Sequence, residues 1–415
     1  MFARPVVLAL VLASCGACRA SKPAPTSDAS TATTASSRAT VATGTAAPVP
    51  TREPETPPLA SDAGLAGCAT LEGPVKLARP GPYAIASRLG FVDLYTNDHG
   101  KPALAGSVRV DPKPGAPTRG APAPEPATTR GSRPPCAAAG SFVFCASSAG
   151  EIRRYRLGAA APEADNFVAR GRAGGPVAAA TISGHPVVAY TRDATTSEGV
   201  VSEAFVESDD GTELRLSEDG AGATTLAIVP HGANALAVYV DARRGMSPVH
   251  ARTISLAPKL ALGKDAVLFI AGGAEPGTRV AAGASGAAAY ALLPVAHDLA
   301  FGLATVKIDG EPRTDAPVLW SDYPNGLDPA PVAATTDASR AFVARVRPSA
   351  PKFGSPRVLE IGTLDGSGAF APLGVVATEG APANVAIEGD GAGFVLAWTS
   401  GGTGWAARYS CPAKP

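Results

Sequence analysis

The chain has 415 residues, 45% of them hydrophobic and 17% charged, with 36 Lys+Arg balanced by 36 Asp+Glu. A net charge of zero argues against nucleic acid as a partner, because phosphate binding runs on a surplus of Lys and Arg. Five His and six Cys are little material for a metal enzyme, so neither a metal nor a cofactor is expected.

Residues 1–14 read MFARPVVLALVLAS, in which Arg4 precedes an apolar run of about ten residues. That is the core length of a signal peptide and too short to span a bilayer, which needs about 20 residues. The run ends in Leu12-Ala13-Ser14-Cys15, which resembles the lipobox of bacterial lipoproteins. The resemblance implies a signal peptide over 1–14 and Cys15 as the first mature residue, carrying a diacylglyceryl and palmitate anchor. It places the chain in the bacterial cell envelope, touching the membrane through lipid alone. Gly16 stands where an Asp would signal inner-membrane retention, which favours the outer membrane in a two-membrane host. An ordinary secretory signal cut at Ala17 or Ala20 is the alternative. Cys15 and Cys18 also have the C-x-x-C spacing of redox and zinc motifs, but no second pair accompanies them.

Residues 15–67 are expected to be a disordered tether rich in Ala, Ser, Thr and Pro, with too little apolar area to offset ordering entropy. Square-root scaling gives such a tether an end-to-end distance of roughly 40 Å. No later stretch approaches the roughly 18 apolar residues of a membrane-spanning helix.

From residue 68 the helical period is missing, and short apolar runs alternate with Gly, Pro and Asp-Gly turns. One hairpin recurs, with copies at 83–98, 136–148, 176–193, 224–244, 278–298, 331–349 and 382–402. The markers Val92, Val143, Val188, Val238, Tyr290, Phe342 and Val395 are spaced by 51, 45, 50, 52, 52 and 53 residues. Most copies are followed by a third strand, and several by a fourth. Four strands in a repeat of about 50 residues is a propeller blade. The expectation is an all-β, seven-bladed β-propeller of four-stranded antiparallel blades over 68–415, monomeric, with a Pro-rich insert at 112–135 where the first blade's outer strand belongs.

The ends predict how the ring closes. The chain stops after the third strand of the last copy, and a spare strand-like piece at 68–77 precedes the first copy. Laying that piece on the outside of the last blade brings Cys68 near Cys411, able to clamp the ring in an oxidising compartment. If Gly140-Ser141 is a two-residue turn, Cys136 faces Cys145 at a non-hydrogen-bonded position, where close Cα spacing suits a disulfide.

Residues 239–245, Tyr-Val-Asp-Ala-Arg-Arg-Gly, resemble the aromatic-x-Asp-x-Arg-x-Gly corner of secreted bacterial propeller repeats. That resemblance implies fold alone, since propellers host many functions. There is no phosphate loop, H-E-x-x-H or G-x-S-x-G. Residues 208–212 resemble the Asp-box of sialidases only weakly and read as a turn.

Charge collects at the second-to-third strand corners: Asp98, His99, Arg192, Asp193, Asp241, Arg243, Arg244, His297, Asp298, Arg345 and Arg347. On a propeller these corners share one face, so they form a candidate binding rim, or else solvated local ion pairs. His185 and His231 fall on the opposite face, so the five His do not converge. The leading expectation is a non-catalytic module binding an envelope protein or glycan, or scaffolding an envelope assembly. The alternative is a hydrolase or lyase of envelope glycan or polymer, with Asp241 and Asp298 among its carboxylates, about 5–10 Å apart near the axis.

Overall fold

The structure is a computed structural model. It describes residues 64–412 except 89, 111–135, 159–160, 198, 219, 221, 242–245, 273–279, 286–287, 298–299, 311, 313–317, 324–331, 336–339, 351–353 and 392. The expected signal peptide, Cys15, nearly all of the tether, the 112–135 insert, Arg243, Arg244 and Asp298 lie outside the described residues.

The chain folds as an all-β propeller of seven antiparallel blades. Strand β1 (Ala69–Leu77) comes first but belongs to the last blade. Blade 1 holds β2 (Ala84–Arg88), β3 (Phe91–Asp98) and β4 (Lys101–Arg109). Blade 2 holds β5 (Cys136–Ala139), β6 (Phe142–Ala146), β7 (Glu151–Arg156) and β8 (Glu163–Arg170). Blade 3 holds β9 (Val177–Ile182), β10 (His185–Thr196), β11 (Gly199–Ser208) and β12 (Glu213–Arg215). Blade 4 holds β13 (Ala223–His231), β14 (Asn234–Asp241) and β15 (Met246–Ser255), with β16 (Ala261–Leu262) and β17 (Ala266–Gly272) both paired to β15. Blade 5 holds β18 (Ala281–Ser285), β19 (Ala288–His297), β20 (Ala300–Asp309) and β21 (Val318–Tyr323). Blade 6 holds β22 (Val332–Ala334), β23 (Ala341–Pro348), β24 (Arg357–Leu364) and β25 (Phe370–Val376). Blade 7 holds β26 (Ala383–Gly389), β27 (Gly393–Ser400) and β28 (Thr403–Ser410), completed by β1.

The inner strands β2, β5, β9, β13, β18, β22 and β26 neighbour one another in that order, and β26 returns to β2. They are built largely of Ala and Gly because side chains crowd near the axis. Large side chains fill the gaps between blades farther out, as Phe342, Phe394 and Trp398 do between blades 6 and 7. Each such buried side chain contributes about 1.5–3 kcal/mol over its exposed state.

Closure follows the sequence expectation. β1 runs antiparallel to β28 from Ala69↔Ser410 to Leu77↔Gly404, and Cys68 and Cys411 form a disulfide. Leu77 occupies the space left by Gly106, and a side chain on Gly404 would meet the Tyr83 hydroxyl at 2.3 Å. Just before β1, Leu65 is buried in the gap between blades 6 and 7, and the Ala66 amide donates to the Leu373 carbonyl at 2.7 Å. The second disulfide joins Cys136 to Cys145, which face each other across β5 and β6 with Cα atoms 4.2 Å apart.

Candidate binding face

Neighbouring strands in a blade run in opposite directions, so second-to-third corners and blade-to-blade crossovers share one face. First-to-second and third-to-fourth turns share the other, as the 3.0 Å contact between His185 Nδ1 and Asp209 Oδ2 attests. Because Cys68 lies at the end of β28 remote from its 401–402 corner, the chain enters the ring on the face opposite the corners.

Part of the expected rim is exposed on the corner face. Asp98 pairs with Arg79 at 3.1 Å, and His99, with a φ of 51°, is 98% exposed at the tip. The turn is pinned to blade 2, because Tyr155 donates to the Gly100 carbonyl at 2.9 Å and Asn97 to that of Ala146 at 2.6 Å. Asp193 is exposed and lies 3.4 Å from Arg172.

Other residues of the list are placed inside blades. Arg192 lies in β10, short of the corner, donates two hydrogen bonds to Glu213 at 2.8 and 2.9 Å and covers the Phe205 ring. Arg345 lies in β23 and is buried with Glu360 at 2.5 Å, over the Phe370 ring, while Arg347 reaches the other Glu360 oxygen at 2.9 Å. Asp241 is buried at the end of β14 and accepts from the Gly222 amide at 3.1 Å. His297 ends β19. Among the described residues of the list, Arg192, Arg345, Arg347 and Asp241 thus make contacts within their own blades. The turn at 208–212 is a local one, with Asp210 accepting from the Ser208 hydroxyl and the Thr212 amide.

Blade 3 has the feature that the sequence reading missed. Pairing of β9 with β10 stops at Val177↔Tyr190, and pairing of β11 with β12 stops at Phe205↔Arg215. The β10–β11 ladder continues to Thr196↔Gly199. A two-stranded arm of about five residue pairs, roughly 17 Å long, therefore extends beyond the four-stranded sheet on the corner face. At its end Val200 is 71% exposed. The Thr and Val content of 191–201 is the available signal, but Asp193 reads as the corner that ends the strand.

Two polar networks lie in blades 3 and 4. Tyr190 contacts both Glu207, at 3.0 Å, and Glu213, which is ion-paired with Arg192. Burial pushes the Glu207 carboxyl up, and the charge on Glu213 adds to the push. On blade 4, Asp265 accepts from Tyr239 at 2.8 Å and meets His250 Nδ1 at 2.7 Å, with the two rings stacked 5.0 Å apart. Burial, then the Asp265 charge, pushes the Tyr239 phenol up. His250 Nε2 is buried without a hydrogen-bond partner among the described residues.

Near the axis, Glu388 is the sole acidic residue among the described residues of the seven inner strands. Water reaches its side chain but protein surrounds it, and this desolvation pushes its carboxyl up to about 7. Among the described residues no group of three or more His, Cys, Asp or Glu is arranged to hold a metal ion.

No protein-family model matches the chain, and neither does any curated protein. Solved structures do, at low identity. A mutant of the Aleuria aurantia lectin in complex with alpha-methyl-L-fucoside is 15% identical, covering 66% of this chain and 91% of its own, with a TM-score of 0.41. Polysaccharide lyase Uly1 is 8% identical, covering 80% of this chain and 90% of its own, with a TM-score of 0.45. An alpha-L-arabinofuranosidase from Podospora anserina is 12% identical, covering 57% and 90%, with a TM-score of 0.32. A binding protein and two glycan-acting enzymes thus stand side by side among distant neighbours, and they do not choose between binding and catalysis.

Proposed function

We propose that the chain is a lipid-anchored lipoprotein of the bacterial envelope, attached through Cys15, whose propeller binds a partner protein on its corner face. The observation that carries the reading is the blade 3 arm, which extends past its sheet and ends in exposed Val200 on the face opposite chain entry. The charged residues inside the blades serve the scaffold, so contact falls to the arm and the exposed corner residues Asp98, His99 and Asp193. No catalytic role is assigned.

The experiment is photo-crosslinking in cells of the native host, with a benzophenone amino acid at position 200 and, as control, at position 71 on outer strand β1. The expected result is a discrete protein adduct from position 200 and none from position 71. Adducts from position 71 alone would overturn the reading. The anchor is checked by metabolic labelling with palmitate, which Cys15→Ser should abolish.

A second reading, an envelope glycan or polymer as substrate, is favoured by the two carboxyl groups Glu207 and Glu213 meeting at Tyr190. It predicts release of reducing ends from purified envelope polysaccharide, lost in Glu207→Gln.

A further inference from the structure

A phenol has one proton to give, and Tyr190 meets two carboxyl groups. Its Oη lies 3.0 Å from Glu207 Oε2 and also within hydrogen-bond reach of Glu213 Oε2. Arg192 decides where the phenol proton goes. Its guanidinium donates to both Glu213 oxygens, at 2.8 and 2.9 Å, so the ion-paired Glu213 is the stronger acceptor and takes the O–H. The contact between Tyr190 and Glu207 then needs a second proton. Of the two groups in that contact, only the Glu207 carboxyl can supply it, and its burial favours the protonated form.

The backbone opposes the same two groups. Glu207↔Glu213 is the last pair of the β11–β12 ladder before the turn. The Leu216 amide donates to the Ala204 carbonyl at 2.8 Å, and the Ser208 amide to the Thr212 carbonyl at 3.1 Å. Hydrogen-bonded pairs alternate along an antiparallel ladder, so 207/213 is a non-hydrogen-bonded pair, where side chains stand closest. Two carboxylates directly opposite each other there would repel; a carboxyl and a carboxylate joined through a phenol do not. The surrounding charges are already engaged. Arg192 is taken by Glu213, and the buried Glu203 of β11 takes Arg215 of β12 and the Gly220 amide. On the blade 2 side, Arg154 pairs with Asp165 at 2.6 Å and covers Phe167, and Arg156 covers Phe142 and stands opposite Glu163. Strands β6 and β9 bring no charge to this gap. In the turn, Asp209 meets His185 at 3.0 Å, and Asp210 accepts from the Ser208 hydroxyl and the Thr212 amide.

We propose that blade 3 carries a pH-operated latch: a proton held on Glu207 and donated to Tyr190 fastens the 208–212 turn, and its loss to solvent as pH rises frees that end of β12. The far end of the strand stays in place, because Leu216 is buried and the Leu216 and Ser217 amides both reach the Ala204 carbonyl. The released segment is therefore short. It lies on the chain-entry face and carries the Asp209 contact to His185 with it. The sign follows from the direction in which burial moves the Glu207 carboxyl. A group raised by folding contributes fully below the ordinary carboxylate range, roughly pH 4–5, and its contribution is lost as pH rises through the folded value. The latch is on the face opposite the arm and does not depend on what the corner face binds.

The test uses the full chain, with Glu carboxyl carbons labelled for NMR and amide exchange followed between pH 4 and 9 as protection relative to free peptide. The Glu207 carboxyl should titrate above the ordinary range. Protection of the Ser208 amide should fall about tenfold with the same midpoint, while that of the Leu216 amide changes less than about twofold. Glu207→Gln, whose side-chain amide can donate to Tyr190 at every pH, should keep the Ser208 amide protected throughout. Four results would overturn the latch. They are a Glu207 carboxyl that ionises in the ordinary range, Ser208 protection that ignores pH, equal losses at Ser208 and Leu216, and a Glu207→Gln variant that keeps the original pH response. If that variant does not fold, the carboxyl titration and the two amides of the unaltered chain still decide.

Discussion

Blades 3 and 7 are built from the same four-stranded unit and use its margins in opposite ways. Blade 7 has its fourth strand supplied from the far end of the chain, a disulfide at that strand's start and a tight corner at Gly401-Gly402. Both glycines have positive φ, 57° and 78°, as the two-residue turn between Ser400 and Thr403 requires. Blade 3 has a three-residue fourth strand, and its central hairpin extends past the last pairs made by β9 and β12. Closing the ring and, in the proposed function, meeting a partner thus fall to different blades. Changes at one should leave the other's property intact.

The largest expected effect is at the clasp. Removing the Cys68–Cys411 bridge in a double Ser variant frees a loop of 343 residues and should lower unfolding stability by about 6 kcal/mol in the chain-entropy account. The same change at Cys136 and Cys145, nine residues apart, should lower it by about 2–3 kcal/mol. Urea denaturation of the two variants side by side reads the difference; equal losses would show that loop length does not set the contribution of the bridges. Gly404→Ala puts a methyl group against Tyr83 and the Arg79 carbonyl, at an expected cost of about 1–3 kcal/mol in the same assay. Crosslinking from position 200 should persist in that variant at temperatures where it remains folded.

A smaller effect is pH-dependent. Glu388 has its carboxyl pushed up to about 7, so the folded chain keeps a proton that the unfolded chain loses near pH 4–5. Its contribution is complete below that range and is lost as pH rises through about 7. Glu388→Gln should flatten the decline in melting temperature between pH 5 and 8, by a few degrees at most because water reaches the group. An unchanged slope would place that titration elsewhere. The smallest effect belongs to blade 3. Val200→Asp should alter stability by less than about 0.5 kcal/mol while preventing co-purification of the protein that crosslinks at position 200, since it changes a residue 71% exposed.

The contrast also explains what could be read from the sequence. The repeat period, the spare strand at 68–77 and the Cys136–Cys145 register are matters of spacing, and spacing is visible in a single chain. The roles of Arg192 and Arg345 depend on partners 21 and 15 residues away, Glu213 and Glu360, whose alignment is set by registers that alternation does not determine. The arm was hidden for a similar reason. A strand that leaves its sheet has the same composition as one inside it, and the difference lies in where β9 and β12 stop. The His250–Asp265 contact crosses a strand pair and a bulge between Val249 and His250, which displaces the simple count by one.

The position of Cys68 also determines how the domain would respond to being pulled. Force applied at residue 64 first meets the buried Leu65 and the bond from Ala66 to Leu373, and then reaches Cys68. From there it passes through a covalent bond to Cys411, at the end of the last strand, before any hydrogen bond of β1 is strained. The ladder that seals the ring is therefore shielded from tension arriving along the chain. Mechanical rupture would have to start elsewhere in the ring or follow reduction of that single bond.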